Sequence, residues 1–82
     1  MSSEPTPGTD DDAAILTTVG AAITARREAL GISQQGLARA AGTSRTFLRG
    51  IEAGERGPTV VTLTHIARAL DTTPSTLIAD IR

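Results

Sequence analysis

The sequence contains no cysteine, lysine, tryptophan or tyrosine, and only one phenylalanine and one histidine among its 82 residues. Without cysteine there are no disulfide staples, thiolate zinc sites or thiol nucleophiles, so packing alone must hold a domain this small. No apolar run approaches the roughly 18 residues of a membrane span, and no membrane association is expected. Phe47 alone gives no set of aromatic platforms on which single strands or splayed RNA bases could stack. His65 has neither a cysteine nor a second histidine to complete a metal site, and no nucleophile pairs with a base at usable spacing. No metal, no cofactor and no enzymatic activity are therefore expected. The opening residues Met1 to Pro7 lack the basic start and apolar stretch of a secretory signal, and the expected location is cytoplasmic.

What the chain does contain is unevenly distributed. The formal charge is −1, but Glu4, Asp10, Asp11 and Asp12 sit in the first twelve residues, leaving five acids against eight arginines in the remainder. The body of the chain is thus mildly basic, as suits a polyanionic partner, behind an acidic leader. Residues 1–11, rich in Ser, Pro, Thr, Gly and Asp, carry too little apolar surface to offset chain ordering and are expected to be disordered. Residues 12–82 are expected to form one domain.

Apolar residues in that domain recur at helical spacing, and no stretch alternates with period two long enough to make a strand. The expected fold class is all-α with five helices. The first runs from Ala13 to about Leu30 behind an acidic N-cap, with Ile15, Val19, Ala22, Ile23, Arg26 and Leu30 on one face and Gly31 as the stop. Ser33 caps a second helix, Gln34 to about Ala41, which buries Leu37, Ala38 and Ala41. Ser44 caps a third, Arg45 to about Ala53, with Phe47, Leu48 and Ile51 inward. Thr59 caps a fourth, running to about Leu70, with Val60, Leu63, Ile66, Ala67 and Leu70 on its apolar stripe. Thr73 and Pro74 start a fifth, through about Asp80, which buries Leu77 and either Ile78 or Ile81. Only Gly42 and Thr43 separate the second helix from the cap of the third. Two short helices joined so tightly cross steeply, which is the geometry of a helix-turn-helix.

The residues around that turn carry a family likeness. They read Arg26-Arg27-Glu28-Ala29-Leu30-Gly31-Ile32-Ser33-Gln34, then Leu37-Ala38-Arg39-Ala40-Ala41-Gly42-Thr43-Ser44-Arg45-Thr46-Phe47-Leu48. Next come Ile51-Glu52-Ala53-Gly54-Glu55-Arg56-Gly57-Pro58-Thr59, Ile66-Ala67-Arg68-Ala69-Leu70 and Pro74-Ser75-Thr76-Leu77. From Val19 to Leu77 the chain resembles the Xre-type helix-turn-helix family, which includes lambdoid phage repressors and restriction-modification controller proteins. The resemblance implies a lambda repressor-like fold and duplex-DNA binding. It also implies a structural ion pair between Arg27 and Glu52, joining the first helix to the third. Two positions depart from the family pattern: Gly36 stands where a capping acid is usual, and Asp71 where a C-cap glycine is common.

In a helix-turn-helix the second helix of the motif enters the major groove, which here offers Arg45, Thr46, Arg49 and Gly50 as base-reading positions. Arg45 can pair bidentately with guanine O6 and N7, worth roughly 1–3 kcal/mol of discrimination, and Thr46 can meet thymine. Arg49 can read a base or hold a phosphate. Gly50 costs about 1 kcal/mol relative to alanine inside a helix, and a bare backbone there allows closer approach to the groove. Ser33, Gln34, Ser44 and Arg56 are the expected phosphate contacts, the two serines serving as helix caps in any case. Leu77, Ile78 and Ile81 cannot all face one small core, and they mark a dimer interface. The expected function is a sequence-specific transcriptional regulator, a homodimer on a pseudo-palindromic operator with helix 45–53 in the groove. The competing expectation is an antitoxin or adaptor-type module that keeps the fold but binds a protein partner.

Overall fold

Short hydroxyl side chains start four of the five helices. In this computed structural model, which describes residues 10–82, the helices are α1 (Asp10–Ala29), α2 (Gln34–Ala41), α3 (Arg45–Glu52), α4 (Val60–Ala69) and α5 (Pro74–Leu77). Residues 1–9 of the expected tail lie outside the described residues, among which there is no strand. Ser33, Ser44, Thr59 and Thr73 hold extended backbone, and each side-chain oxygen accepts the N–H three residues on, satisfying a donor that the helix ladder leaves free. α1 begins at Asp10 rather than Ala13, so Asp11 and Asp12 lie within its first turn, still at the positive end of the helix dipole.

The α2–α3 turn closes through Gly42, whose φ of 70° lets its N–H bond Arg39 O at 3.2 Å while Thr43 N–H reaches back to Ala38 O at 2.9 Å. That double closure spends the last α2 carbonyls and starts α3 at once. α4 ends the same way around Asp71, a non-glycine residue at φ 54°, with Thr72 N–H on Ala67 O at 2.9 Å. Left-handed backbone costs an L-residue roughly 1–2 kcal/mol, though aspartate tolerates it better than most. Arg26 of α1 supports that turn, donating from Nε to Leu70 O at 3.0 Å and from an Nη to Asp71 O at 3.2 Å.

All five helices feed one core. Val19 and Ile23 of α1 meet Leu37, Ala38 and Ala41 of α2, Leu48 and Ile51 of α3, and Leu63, Ile66, Ala67 and Leu70 around α4, with Leu77 of α5 closing the end. Ile32, Phe47 and Ile81 pack against its edge, half-buried. Three sequence expectations need correction. Leu30 is exposed, because α1 stops at Ala29 and Leu30 lies in the turn that follows. Val60 is 79% exposed, because α4 meets the core only from Leu63 onward. α5 stops at Leu77 instead of Asp80: past it the backbone makes three-residue bonds, Ala79 N–H to Thr76 O and Ile81 N–H to Ile78 O. Those tighter turns bring Ile81 to the core edge and leave Ile78 outside, which decides between the two.

One close helix crossing is not revealed by the apolar pattern. A Cβ on Gly20 would lie 2.5 Å from Ile51 O and 2.6 Å from Glu52 O, so α1 and the end of α3 touch backbone to backbone. Gly20→Ala gains about 1 kcal/mol of helix propensity. Against this, the methyl meets main-chain atoms that have no rotamer to escape into, an overpacking cost that exceeds the gain. The expected outcome in urea denaturation is a net loss of up to about 2 kcal/mol, the overpacking cost less the propensity gain. A variant more stable than the wild type by the full propensity gain would show that the two helices separate without cost.

Candidate nucleic-acid interface

The inner face of α3 fixes its outer face. Leu48 and Ile51 are fully buried, and the opposite side of the same helix presents Arg45, Thr46 and Arg49, all exposed. The three side chains share no ion pair with an acid of the chain among the described residues. Two shallow grooves flank Arg45. One runs to Ser33, Gln34 and Gln35 at the start of α2, the other to Gln35, Arg39 and Thr43. The N-termini of α2 and α3 therefore open onto one surface, with Gln35 between them. Gln35 was not singled out from the sequence; an exposed polar residue next to an N-cap is the signal that points to it. A third groove along α3 is lined by Thr46, Arg49, Gly50, Ala53, Glu55 and Arg56. Across this surface the exposed charges are Arg39, Arg45, Arg49 and Arg56 against Glu55, a basic face.

Ser33 and Ser44 spend an oxygen lone pair on their caps, accepting from Gly36 N–H at 2.9 Å and Phe47 N–H at 3.0 Å. Each hydroxyl still has its proton to donate to an anion. Gln34 is more committed than expected: its Nε2 donates to Glu52 Oε1 at 3.0 Å, leaving one amide hydrogen for an outside partner. Gly50 is placed differently from the expectation. Its backbone lies under the side chain of Arg56 at the floor of the third groove rather than bare, and a Cβ there would lie 2.9 Å from Arg56 Cδ. Of the three residues assigned to a dimer interface, Leu77 is 2% exposed and belongs to the core, Ile81 is half-buried, and Ile78 is 40% exposed.

Behind the basic face sits the acid that would otherwise oppose it. Arg27 Nε donates to Glu52 Oε2 at 2.8 Å and an Arg27 Nη to Oε1 at 3.1 Å, a bidentate pair whose side chains are 13% and 5% exposed. The other Nη of Arg27 donates to Ile32 O at 2.9 Å, tying the α1–α2 turn into the same cluster. Burial pushes the Glu52 carboxyl up, yet hydrogen bonds from Arg27 and Gln34, the Arg27 charge and a hydrogen bond from Thr24 together outweigh it and hold the carboxyl below its ordinary value. The bond to Glu52 in turn raises Arg27. The carboxylate is ionised and neutralised inside the domain, and does not repel phosphate at the surface.

Comparison with known proteins agrees with this arrangement. A family model described as helix-turn-helix matches residues 23–77. The restriction-modification controller protein C.AhdI from Aeromonas hydrophila superposes with a TM-score of 0.76 at 36% identity, over 78% of this chain and 97% of that one. The DNA-binding domain of the P22 c2 repressor superposes with a TM-score of 0.70 at 31% identity, over 78% and 86% of the two chains. A transcriptional regulator from Vibrio cholerae gives 0.77 at 30% identity, over 84% of this chain but 39% of its own length. No curated protein sequence matches the chain.

The Glu52 cluster carries a pH signature. A carboxyl whose folded pKa lies below its unfolded value of about 4.3 contributes stability that is complete above that value and lost as pH falls through the folded one. Glu52→Gln leaves Arg27 without its charge partner and is expected to cost about 3 kcal/mol at pH 7. The gap between wild type and variant in urea denaturation stays constant down to about pH 5 and narrows progressively as pH falls below the unfolded value toward the folded one. A gap that widens on acidification would mean that the folded protein holds Glu52 protonated.

Proposed function

The chain belongs to the helix-turn-helix family of DNA-binding transcriptional regulators, and from that membership we propose that it reads a specific duplex-DNA operator with α3 in the major groove. One observation carries the reading: α3 buries Leu48 and Ile51 and turns Arg45, Thr46 and Arg49 outward, onto a surface shared with the α2 N-terminus. Arg45 is the principal base reader, with its fork on a guanine edge. Thr46 meets a thymine methyl or a base acceptor, and Arg49, one turn on, extends the readout or grips the flanking phosphate. The Ser33 and Ser44 hydroxyls, the remaining Gln34 amide hydrogen and Arg56 hold the sugar-phosphate backbone on either side.

The regulator acts as a homodimer on a pseudo-palindromic site, its two α3 helices about 34 Å apart in successive major grooves. With Leu77 committed to the core, the self-contact is centred on Ile78 and flanked by Ile81. The likeness to a controller protein and to a phage repressor domain supports a role in restriction-modification control or repression.

Selection of duplexes from a random pool, followed by titration of the enriched duplex across a salt series, tests the base-reading assignment. The wild type is expected to enrich a dyad-symmetric sequence. Arg45→Ala is expected to lose about 5- to 150-fold of the preference over scrambled DNA, the equivalent of roughly 1–3 kcal/mol, with a nearly unchanged salt slope. Equal binding to all sequences by the wild type, or an unaltered preference in the variant, would remove Arg45 as reader. For the dimer, Ile78→Glu places a charge in the contact at a site already open to water. Sedimentation equilibrium should then show monomer where the wild type is dimer, with the melting temperature unchanged to within a few degrees. A variant that stays dimeric moves the interface elsewhere.

A further inference from the structure

Gly50 sits in the middle of α3, where glycine weakens a helix, and it is buried although it lies on the side away from Leu48 and Ile51. What buries it is the stem of Arg56. A Cβ at Gly50 would stand 2.9 Å from Arg56 Cδ and 3.3 Å from both Cγ and Nε. The loop bearing that arginine is tied to the same residue: Gly50 O accepts the N–H of Glu55 at 2.9 Å and of Arg56 at 3.2 Å. The far end of the side chain rests on α3 as well, with Cζ over the Phe47 ring, 6.0 Å from its centroid. An exposed arginine is thus held at its root, along its stem and near its head. All three contacts are made by one helix, next to Thr46 and Arg49 in the groove the three residues share.

We propose that Gly50 is a positioning residue: by lacking a side chain it seats Arg56 across α3 and presets that guanidinium as a phosphate clamp beside the base-reading face. Gly50 itself touches no DNA. An arginine already ordered before association surrenders less rotamer freedom on binding, and its planar fork meets the phosphate in one orientation. The inference rests on the DNA-binding reading above and adds to it the reason a helix-weakening residue occupies the recognition helix.

The test combines one measurement on the free protein with one on the complex, using wild type, Gly50→Ala, Arg56→Ala and the double variant. Gly50→Ala is expected to fold at least as well as the wild type, since alanine is the better helix former and the obstructing atoms belong to a flexible side chain. In the free protein, the Arg56 side-chain protons are expected to show ring-current displacement by Phe47 in the wild type and to lose it in Gly50→Ala. On the enriched duplex, Gly50→Ala and Arg56→Ala should each weaken binding by about 5- to 10-fold and lower the salt slope by about one phosphate contact. The double variant should bind no more weakly than Arg56→Ala alone. Factors that multiply in the double variant would overturn the proposal, as would ring-current shifts indifferent to Gly50→Ala. Tight duplex binding unchanged by Gly50→Ala overturns the clamp alone, whereas a wild type with no duplex affinity overturns it together with the DNA-binding reading.

Discussion

The crossing of α1 and α3 is the constraint on which the rest of the domain depends. Gly20, Thr24 and Arg27 follow one another at helical spacing along α1 and face the end of α3 in three different ways. Gly20 sets the distance by letting main chain approach main chain. Thr24 and Arg27 then satisfy the Glu52 carboxylate that this approach buries. Because Gln34 and the Ile32 carbonyl join the same cluster, α1, α2 and α3 converge on a single side chain. With the α3 axis fixed at its C-terminal end, and Leu48 and Ile51 locked in the core, the direction in which Arg45, Thr46 and Arg49 project is no longer free.

An ion pair is an expensive way to make such a joint. Taking Arg27 and Glu52 out of water consumes much of the energy their attraction returns, so the intact pair adds little net stability compared with apolar residues of the same size. Its value lies in direction. A bidentate guanidinium–carboxylate pair holds one geometry where an apolar contact tolerates several, so the outer face of α3 is held in one orientation. The pair also neutralises an acid lying just beneath the basic face. Glu55, which has no comparable partner in the core, lies at the margin of the basic face instead.

What the sequence made legible was the chemistry that operates within a few residues. The starts of α2, α3 and α4 follow from Ser33, Ser44 and Thr59, and the stop at Gly42 from its αL backbone, because a cap bonds to its own helix and needs no knowledge of the fold. The apolar spacing likewise identified most of the core. It failed at helix ends, where Leu30 and Val60 continue the pattern past the point at which a partner helix is there to cover them, and at α5, whose ladder lapses into three-residue turns. Contacts between distant residues were legible only through family likeness, as for Arg27 and Glu52, or not at all. The roles of Gly20 and Arg26, and the covering of Gly50 by Arg56, depend on which elements cross, and no local pattern encodes that.

Arg26 and Arg27 show how adjacent residues divide the work of one helix. Arg27 reaches α3, while Arg26 turns the other way and donates to the carbonyls of Leu70 and Asp71 that follow α4, offsetting the strain of a left-handed aspartate at 71. α4 in turn packs on α5, so the C-terminal half of α1 is a strut with α3 on one side and the α4–α5 corner on the other. Ile78, at the far end of α5, is the residue through which two copies are proposed to meet. On the proposed reading, the span from that contact to α3 runs through side chains of α1. A homodimer that sets two α3 helices in successive grooves, as proposed, needs that span to be stiff. Arg26, Arg27 and Gly20 tie α1 to the elements on both sides of it, and the apolar core supplies the packing behind them.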